Sequence, residues 1–430
     1  MNALKIFTKT LYLSLVLCLL SGDLLWAQSS YMQVGFGFDS KKTKRFRYRF
    51  ELYNNLIILP IILNHNTKDT LNFILDTGVN TTIITDASYM EKLNVTAKNK
   101  KISVRGVGEN NSIDSYVCIY QHLQFGKIVA QNQTLLVLSQ DIPELSEYAG
   151  IKVHGIIGYD IFSRFIVKID YERKILIFYD IKSYRDTFSK NKRYEAIPLE
   201  FQRQKPYIQV SAAPEDSLLR PKTSLKVLVD TGAGFSLSVE PLARASLIPP
   251  KTINARVGTG ISGILMGVVG RIGRLQMGPF AWKQVIASFI DNAFAESIAE
   301  EGVERQGSIG MGVLGRFDVV FDYVEHIMYL RPNKKYRDKF LFNTMGFDIV
   351  GIAPRYDTYG VKRVYPGSNA FEAGLMEGDE LVSIDARPLV GMKIGEVYSL
   401  LERSAGSYVF IVLLRNKQYV YLSFYLEKNA

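Results

Sequence analysis

The chain is poor in the side chains that most often carry metal, redox or thiol chemistry. Its 430 residues include two cysteines and four histidines. Cys18 falls in the N-terminal leader, so only Cys118 remains after processing, and one cysteine cannot close an internal disulfide. No histidine neighbours Cys118 in sequence, so it reads as a buried strand residue rather than a nucleophile. His65, His122, His154 and His326 lack the spacing of metal ligands. No GxSxG elbow and no phosphate-binding P-loop occurs. Gly258-Thr259-Gly260 lacks the lysine and following helix of such a loop and reads as a hairpin tip. Beyond the leader no run is long and apolar enough to cross a bilayer. Neither a metal nor a cofactor is called for.

What is present points to a folded, exported chain. Hydrophobic residues make up 47% and aromatics 12%, which fits globular domains rather than disorder. The net charge of +10 is spread along the chain except for residues 41–49, KKTKRFRYR. There Phe46 and Tyr48 alternate with the charges, so the segment reads as a solvated edge strand of the first lobe's sheet. A nucleic-acid or lipid patch and a cleft-blocking propeptide are the less favoured readings, and no nucleic-acid partner is expected. Residues 1–27 have the form of a secretory signal peptide: Lys5 and Lys9, an apolar run from Leu11 to Leu20, and Ala27 before the cut. A periplasmic or secreted protein is expected, with no transmembrane span after cleavage.

Short apolar or alternating runs split by Gly, Asn and charged turns dominate the chain, as in LIILPIILN, LNFILDTG, YVCIYQHLQFG and FIVKIDY. That pattern indicates a mostly β protein. An internal repeat organises it. Asp76-Thr77-Gly78 and Asp230-Thr231-Gly232 lie 154 residues apart. Residues 156–171 (IIGYDIFSRFIVKIDY) align with residues 308–323 (SIGMGVLGRFDVVFDY) at an offset of 152. Between these anchors, Arg105–Gly108 falls near Gly258–Ile261. Three landmarks in one order indicate two similar β lobes related by a pseudo-two-fold, over residues 28–188 and 189–335. A charged linker, RPNKKYRDKF, leads to a small α+β unit over residues 340–430.

The repeat explains why an acid closes each apolar strand. Two-fold symmetry brings Asp76 and Asp230 together at the lobe interface. At ~3 Å and an effective dielectric of ~20, two such charges repel by about 5 kcal/mol. They relieve this by sharing one proton, which makes one member an acid and the other a base at the same pH. Such a pair can activate a water against a carbonyl carbon.

These residues resemble the bacterial retropepsin-like aspartic proteases. The carriers are FILDTGVNTTIIT, VLVDTGAGFSLSV, GIIGYDIFSRFIVKIDY and GSIGMGVLGRFDVVFDY. The resemblance implies that Asp76 and Asp230 are the catalytic dyad of a peptide hydrolase. Thr77 and Thr231 would lock the two loops, and Gly78 and Gly232 would allow their turns. Ile157-Gly158 and Ile309-Gly310 would thread beside the loops and support them, with Ser308 standing where an apolar residue is usual. Hairpins at Gly106, Gly108, Gly258 and Gly260 are the flap candidates. The residue after each DTG is Val79 or Ala233 rather than a hydroxyl-bearing one, which implies a dyad titrating higher and a mildly acidic optimum.

The C-terminal unit resembles a bacterial PDZ domain, carried by VYPGSNAFEAGLMEGDELVSIDARPL and its flanking strands. Such domains add a peptide strand to a sheet edge and hold its terminal carboxylate. Gly346, Phe347 and Ile349 are the peptide-binding candidates here, with Asp348 awkward beside an anion. The reading is thus an aspartic endopeptidase acting on polypeptides as a monomer, its PDZ domain recruiting or positioning substrate. A catalytically silent peptide-binding protein, and a dimer pairing each lobe with its copy, are the alternatives.

Overall fold

The computed structural model describes residues 34–96, 98–104, 112–214, 222–261, 263–292, 304–340, 345–401, 403–404 and 406–426. Residues 1–27, expected to be a signal peptide, and the flap candidates Gly106 and Gly108 lie outside them. The described chain is mostly β and forms two similar lobes and a C-terminal PDZ-like domain. No described helix is long and apolar enough to cross a membrane.

The lobes repeat one strand plan. In the first, Leu56–Leu63 pairs with Thr70–Leu75, and Gly155–Ile157 inserts parallel to Thr70–Leu75 and antiparallel to Ile83–Ile84. In the second, Lys205–Ala213 pairs with Thr223–Val229, and Gly307–Ile309 inserts between that strand and Leu237–Val239 in the same senses. Long hairpin strands close each sheet on itself: Ile113–Phe125 with Ile128–Leu138, and Gly263–Met277 with Phe280–Ile290. The continuous apolar runs follow from burial on both strand faces. Leu59, Ile61, Phe73 and Leu75 enter the main core, while Leu56, Ile58 and Ile74 enter a second cluster beside the helix Pro143–Ala149.

A six-stranded sheet joins the lobes. Its order is Glu195–Pro198, Ile327–Pro332, Phe317–Asp322, Ile166–Asp170, Ile175–Tyr179, Arg45–Arg49. At its centre the two repeated segments pair with each other, Val167 opposite Phe321 and Ile169 opposite Val319. The basic segment is an edge strand with exposed charges, but it closes this shared sheet rather than one private to the first lobe. The charged segment after Pro332, expected as a linker, packs on the second lobe. The Arg316 guanidinium donates to the carbonyls of Lys335 (3.1 Å) and Asp338 (2.6 Å) and lies 3.7 Å from the Phe340 ring. Tyr336 packs on Trp282 and Phe317. Arginine needs acceptors when buried, and the segment supplies them.

The PDZ-like domain is a sheet ordered Phe347–Gly351, Tyr359–Val364, Glu380–Ile384, Tyr408–Arg415, Gln418–Tyr425. The helix Ile394–Leu401 buries Ile394, Val397 and Leu401 against it. The short helix Asn369–Glu372 is capped by Ser368, whose hydroxyl accepts from the Phe371 amide at 3.1 Å.

Candidate active site

Each aspartate stands where its strand ends, and the inserted strand fixes it there. The Asp76 amide donates to the Ile157 carbonyl, and the Asp230 amide to the Ile309 carbonyl, both at 2.9 Å. Ile157 and Ile309 are fully buried. The glycines that follow them leave room for the Asp loops. A Cβ at Gly158 would lie 2.2 Å from the Val79 carbonyl oxygen and 2.3 Å from that of Asp76. At Gly310 it would lie 2.6 Å from the Ala233 carbonyl oxygen. Ser308 is buried yet keeps the register, opposite both Leu228 and Ser238.

The loops are tied to each other across the pseudo-two-fold. The Thr77 amide donates to Thr231 Oγ1 and the Thr231 amide to Thr77 Oγ1, both at 3.0 Å. Each hydroxyl in turn donates across the seam, Thr77 to the Val229 carbonyl (2.6 Å) and Thr231 to the Leu75 carbonyl (3.0 Å). Both threonines are buried. Four bonds to buried groups make this a rigid joint, because any one left unmade would strand a polar group out of water.

The joint places the carboxyls side by side. Gly78 and Gly232 donate their amides to their own aspartates, at 2.6 and 2.8 Å. Each glycine also faces the other lobe's carboxyl. A Cβ on Gly232 would stand 2.5 Å from Asp76 Oδ2, and one on Gly78 3.4 Å from Asp230 Cγ. The two carboxyls lie close enough for each to perturb the other's protonation. Burial pushes the Asp76 carboxyl well above the usual range, the neighbouring Asp230 charge adds to this, and the Gly78 amide opposes it. Burial also raises Asp230, against the bond from Asp76, the Gly232 amide and the cations of Arg305 and Lys205. Both carboxyls are raised, so the pair is built to hold one proton between them.

Gly258 and Gly260 belong to the strand Thr252–Gly260, at the tip of the hairpin with Gly263–Met277. Ile261, at that tip, packs on the apolar cluster of the first lobe together with Tyr53, Val79 and Tyr148. The hairpin thus reaches across from the second lobe to the first.

The PDZ candidates do not face an open groove. Phe347 and Ile349 are core residues, and Gly346, at φ 78°, has its carbonyl taken by the Tyr365 amide and the Ser368 hydroxyl. The amide and carbonyl of Ile349 are both engaged by the Tyr398 hydroxyl, at 3.4 and 2.9 Å. Asp348 is turned inward, where its Oδ2 accepts from the Tyr365 hydroxyl at 2.8 Å.

Two supports escaped the sequence reading. Asp160 Oδ2 accepts from both the amide and the hydroxyl of Thr82, each at 2.7 Å, bracing the segment after the first DTG. In the second lobe the matching position is Gly312, whose added Cβ would lie 2.2 Å from Ser236 Oγ. The two copies differ there, but they differ at nine of the sixteen aligned positions, so nothing in the repeat singled Asp160 out. Tyr148 is the other: its hydroxyl abuts Gly234, where a Cβ would stand 2.5 Å away. No sequence signal marked it.

The aspartyl protease family matches residues 61–161 and 222–313, one segment in each lobe, and a PDZ domain matches residues 360–415. No curated protein matches the chain. Among solved structures, a photosystem II D1 C-terminal processing protease is similar at 27% identity over 20% of this chain, with a TM-score of 0.19. That overlap spans 23% of the solved chain and carries no argument.

Proposed function

Because the chain carries two aspartyl protease segments and a PDZ domain, we propose that it is a single-chain aspartic endopeptidase acting on polypeptides. The observation that carries this reading is the reciprocal Thr77–Thr231 joint, which holds both DTG loops face to face within one chain. In this mechanism one aspartate of the pair holds the shared proton and the other is the base. The base takes a proton from a water as the water oxygen attacks the scissile carbonyl carbon, while the acid gives its proton to the carbonyl oxygen. As the C–N bond breaks, the proton taken from water passes to the leaving nitrogen and the gem-diol returns the other proton to the dyad. The amides of Gly78 and Gly232 keep each carboxyl oriented.

One chain supplies both aspartates, so the active unit is a monomer and dilution leaves specific activity unchanged. The leader at residues 1–27 supports export to the periplasm or beyond; the N-terminus of the mature chain is then Gln28. The PDZ domain sits against the first lobe, with Lys362 Nζ 2.9 Å from Glu147 Oε2, which favours a role beside the protease lobes over remote recruitment. The test is cleavage of a mixed peptide library. Wild type cleaves it, a statine-type transition-state mimic blocks cleavage, and Asp76→Asn and Asp230→Asn each abolish it. A library left intact by wild type while the folded chain still binds peptides would instead establish a silent binding protein.

A further inference from the structure

The outer strand of the PDZ sheet, Phe347–Gly351, is where an added peptide strand would be expected, and the chain's own first lobe lies there. Helix Pro143–Ala149 packs on that strand. Gly150 ends the helix in the left-handed region, at φ 66°, and touches both walls of the groove. A Cβ added to Gly351 would stand 3.0 Å from Gly150 Cα, and one on Gly150 2.7 Å from Ile394 Cβ. No side chain fits between these backbones. The Tyr398 hydroxyl occupies the amide and carbonyl of Ile349 that a peptide would pair with. At the rim Lys362 pairs with Glu147, and Lys393 pairs with Glu51.

The same domain grips the second-lobe hairpin. The Arg256 amide donates to the Tyr365 hydroxyl at 3.4 Å, and that hydroxyl donates to Asp348 at 2.8 Å. The Arg363 guanidinium donates to Met266 Sδ at 3.1 Å. Tyr365 packs into the apolar cluster of Ala255, Val257, Val269 and Ile290 midway along the hairpin. The hairpin's tip, Ile261, rests on the first lobe beside Val79 and Tyr148. The hairpin is thereby held at its middle by the PDZ domain and at its tip by the first lobe.

We propose that the PDZ domain is a latch acting in cis: its groove takes the segment from Glu147 to Gly150, and Tyr365 and Arg363 hold the hairpin Thr252–Met277 down over the cleft. Polypeptide reaches the dyad when the latch lets go. The effect on cleavage rests on the proteolytic reading above; the latch itself does not.

The experiment is hydrogen exchange read by mass spectrometry on the full chain. In Glu147→Lys and in Tyr365→Phe, the strands Thr252–Gly260 and Gly263–Met277 exchange at least tenfold faster than in wild type. Strand Tyr408–Arg415 keeps wild-type protection, which shows that the PDZ domain is still folded. Lys362→Glu added to Glu147→Lys re-forms the pair with reversed charge and restores hairpin protection. In parallel, kcat/KM for an unfolded polypeptide such as casein rises at least threefold in Glu147→Lys. Hairpin exchange that stays at the wild-type rate while Phe347–Gly351 becomes exposed overturns the latch. So does an unchanged or lower kcat/KM in a variant whose hairpin is released. If neither form cleaves anything, the proteolytic reading fails, and the exchange result still decides the latch.

Discussion

Thr77→Val is the sharpest probe of the joint that orients the aspartates. Valine keeps the shape of threonine, so little is lost in packing. What disappears is the bond from the Thr77 hydroxyl to the Val229 carbonyl (2.6 Å) and the acceptor for the Thr231 amide (3.0 Å). Both stranded partners are cut off from water, since Thr231 is fully buried. A net hydrogen bond is worth about 1 kcal/mol, and each unsatisfied buried group costs about 1–3 kcal/mol. Two groups give a destabilisation of about 2–6 kcal/mol. Catalysis falls further than stability, because misplacing a reacting group by about 1 Å can cost roughly a hundredfold. Denaturant unfolding and kcat/KM, measured on Thr77→Val and Thr77→Ser together, test this. The serine variant keeps the hydroxyl and is expected to lose under about 1 kcal/mol and to retain most activity. If valine and serine behave alike in both assays, the hydroxyl carries nothing and the account of the joint is wrong.

Four further outcomes are expected. Burial raises both carboxyls of the dyad, so activity peaks in the mildly acidic range; a pH–rate profile peaking near pH 2 contradicts this. Raised acids also set the sign of stability. The native state binds the dyad proton more tightly than the unfolded chain, so this contribution is full below the unfolded carboxylate range. It is lost as pH rises from the unfolded pKa through the folded one, at about 1.4 kcal/mol for each pH unit crossed. Asp76→Asn removes that loss, and its unfolding free energy is therefore flatter between acidic and neutral pH than that of wild type. Gly232→Ala drives a methyl to within 2.5 Å of the Asp76 carboxyl and is expected to lower kcat/KM by over roughly a hundredfold; near-normal turnover would mean the loop yields easily. Asp160→Asn weakens two charge-assisted bonds to Thr82, each worth about 1.5–3 kcal/mol, and should lower the free energy of unfolding measured in denaturant.

Much of this architecture is written locally. A strand's face shows in the period of its apolar residues, and a doubly buried strand shows as an unbroken run ending in a turn, as at Leu75-Asp76 and Val229-Asp230. Duplication adds long-range information to a one-dimensional string. If one segment recurs at an offset of 152, symmetry relates its copies in space, and so Asp76 and Asp230 could be paired before any contact was seen. Contacts that break the symmetry have no such record. The pairing of Arg45–Arg49 with Ile175–Tyr179 and the bracing of Thr82 by Asp160 join segments without a repeated partner. The seat of Gly150 against Gly351 and Ile394 depends on the absence of side chains at two distant positions, which no periodicity reports. Burial on a given face is a property of neighbouring residues, whereas the surface that face meets is chosen only when the whole chain has closed around it.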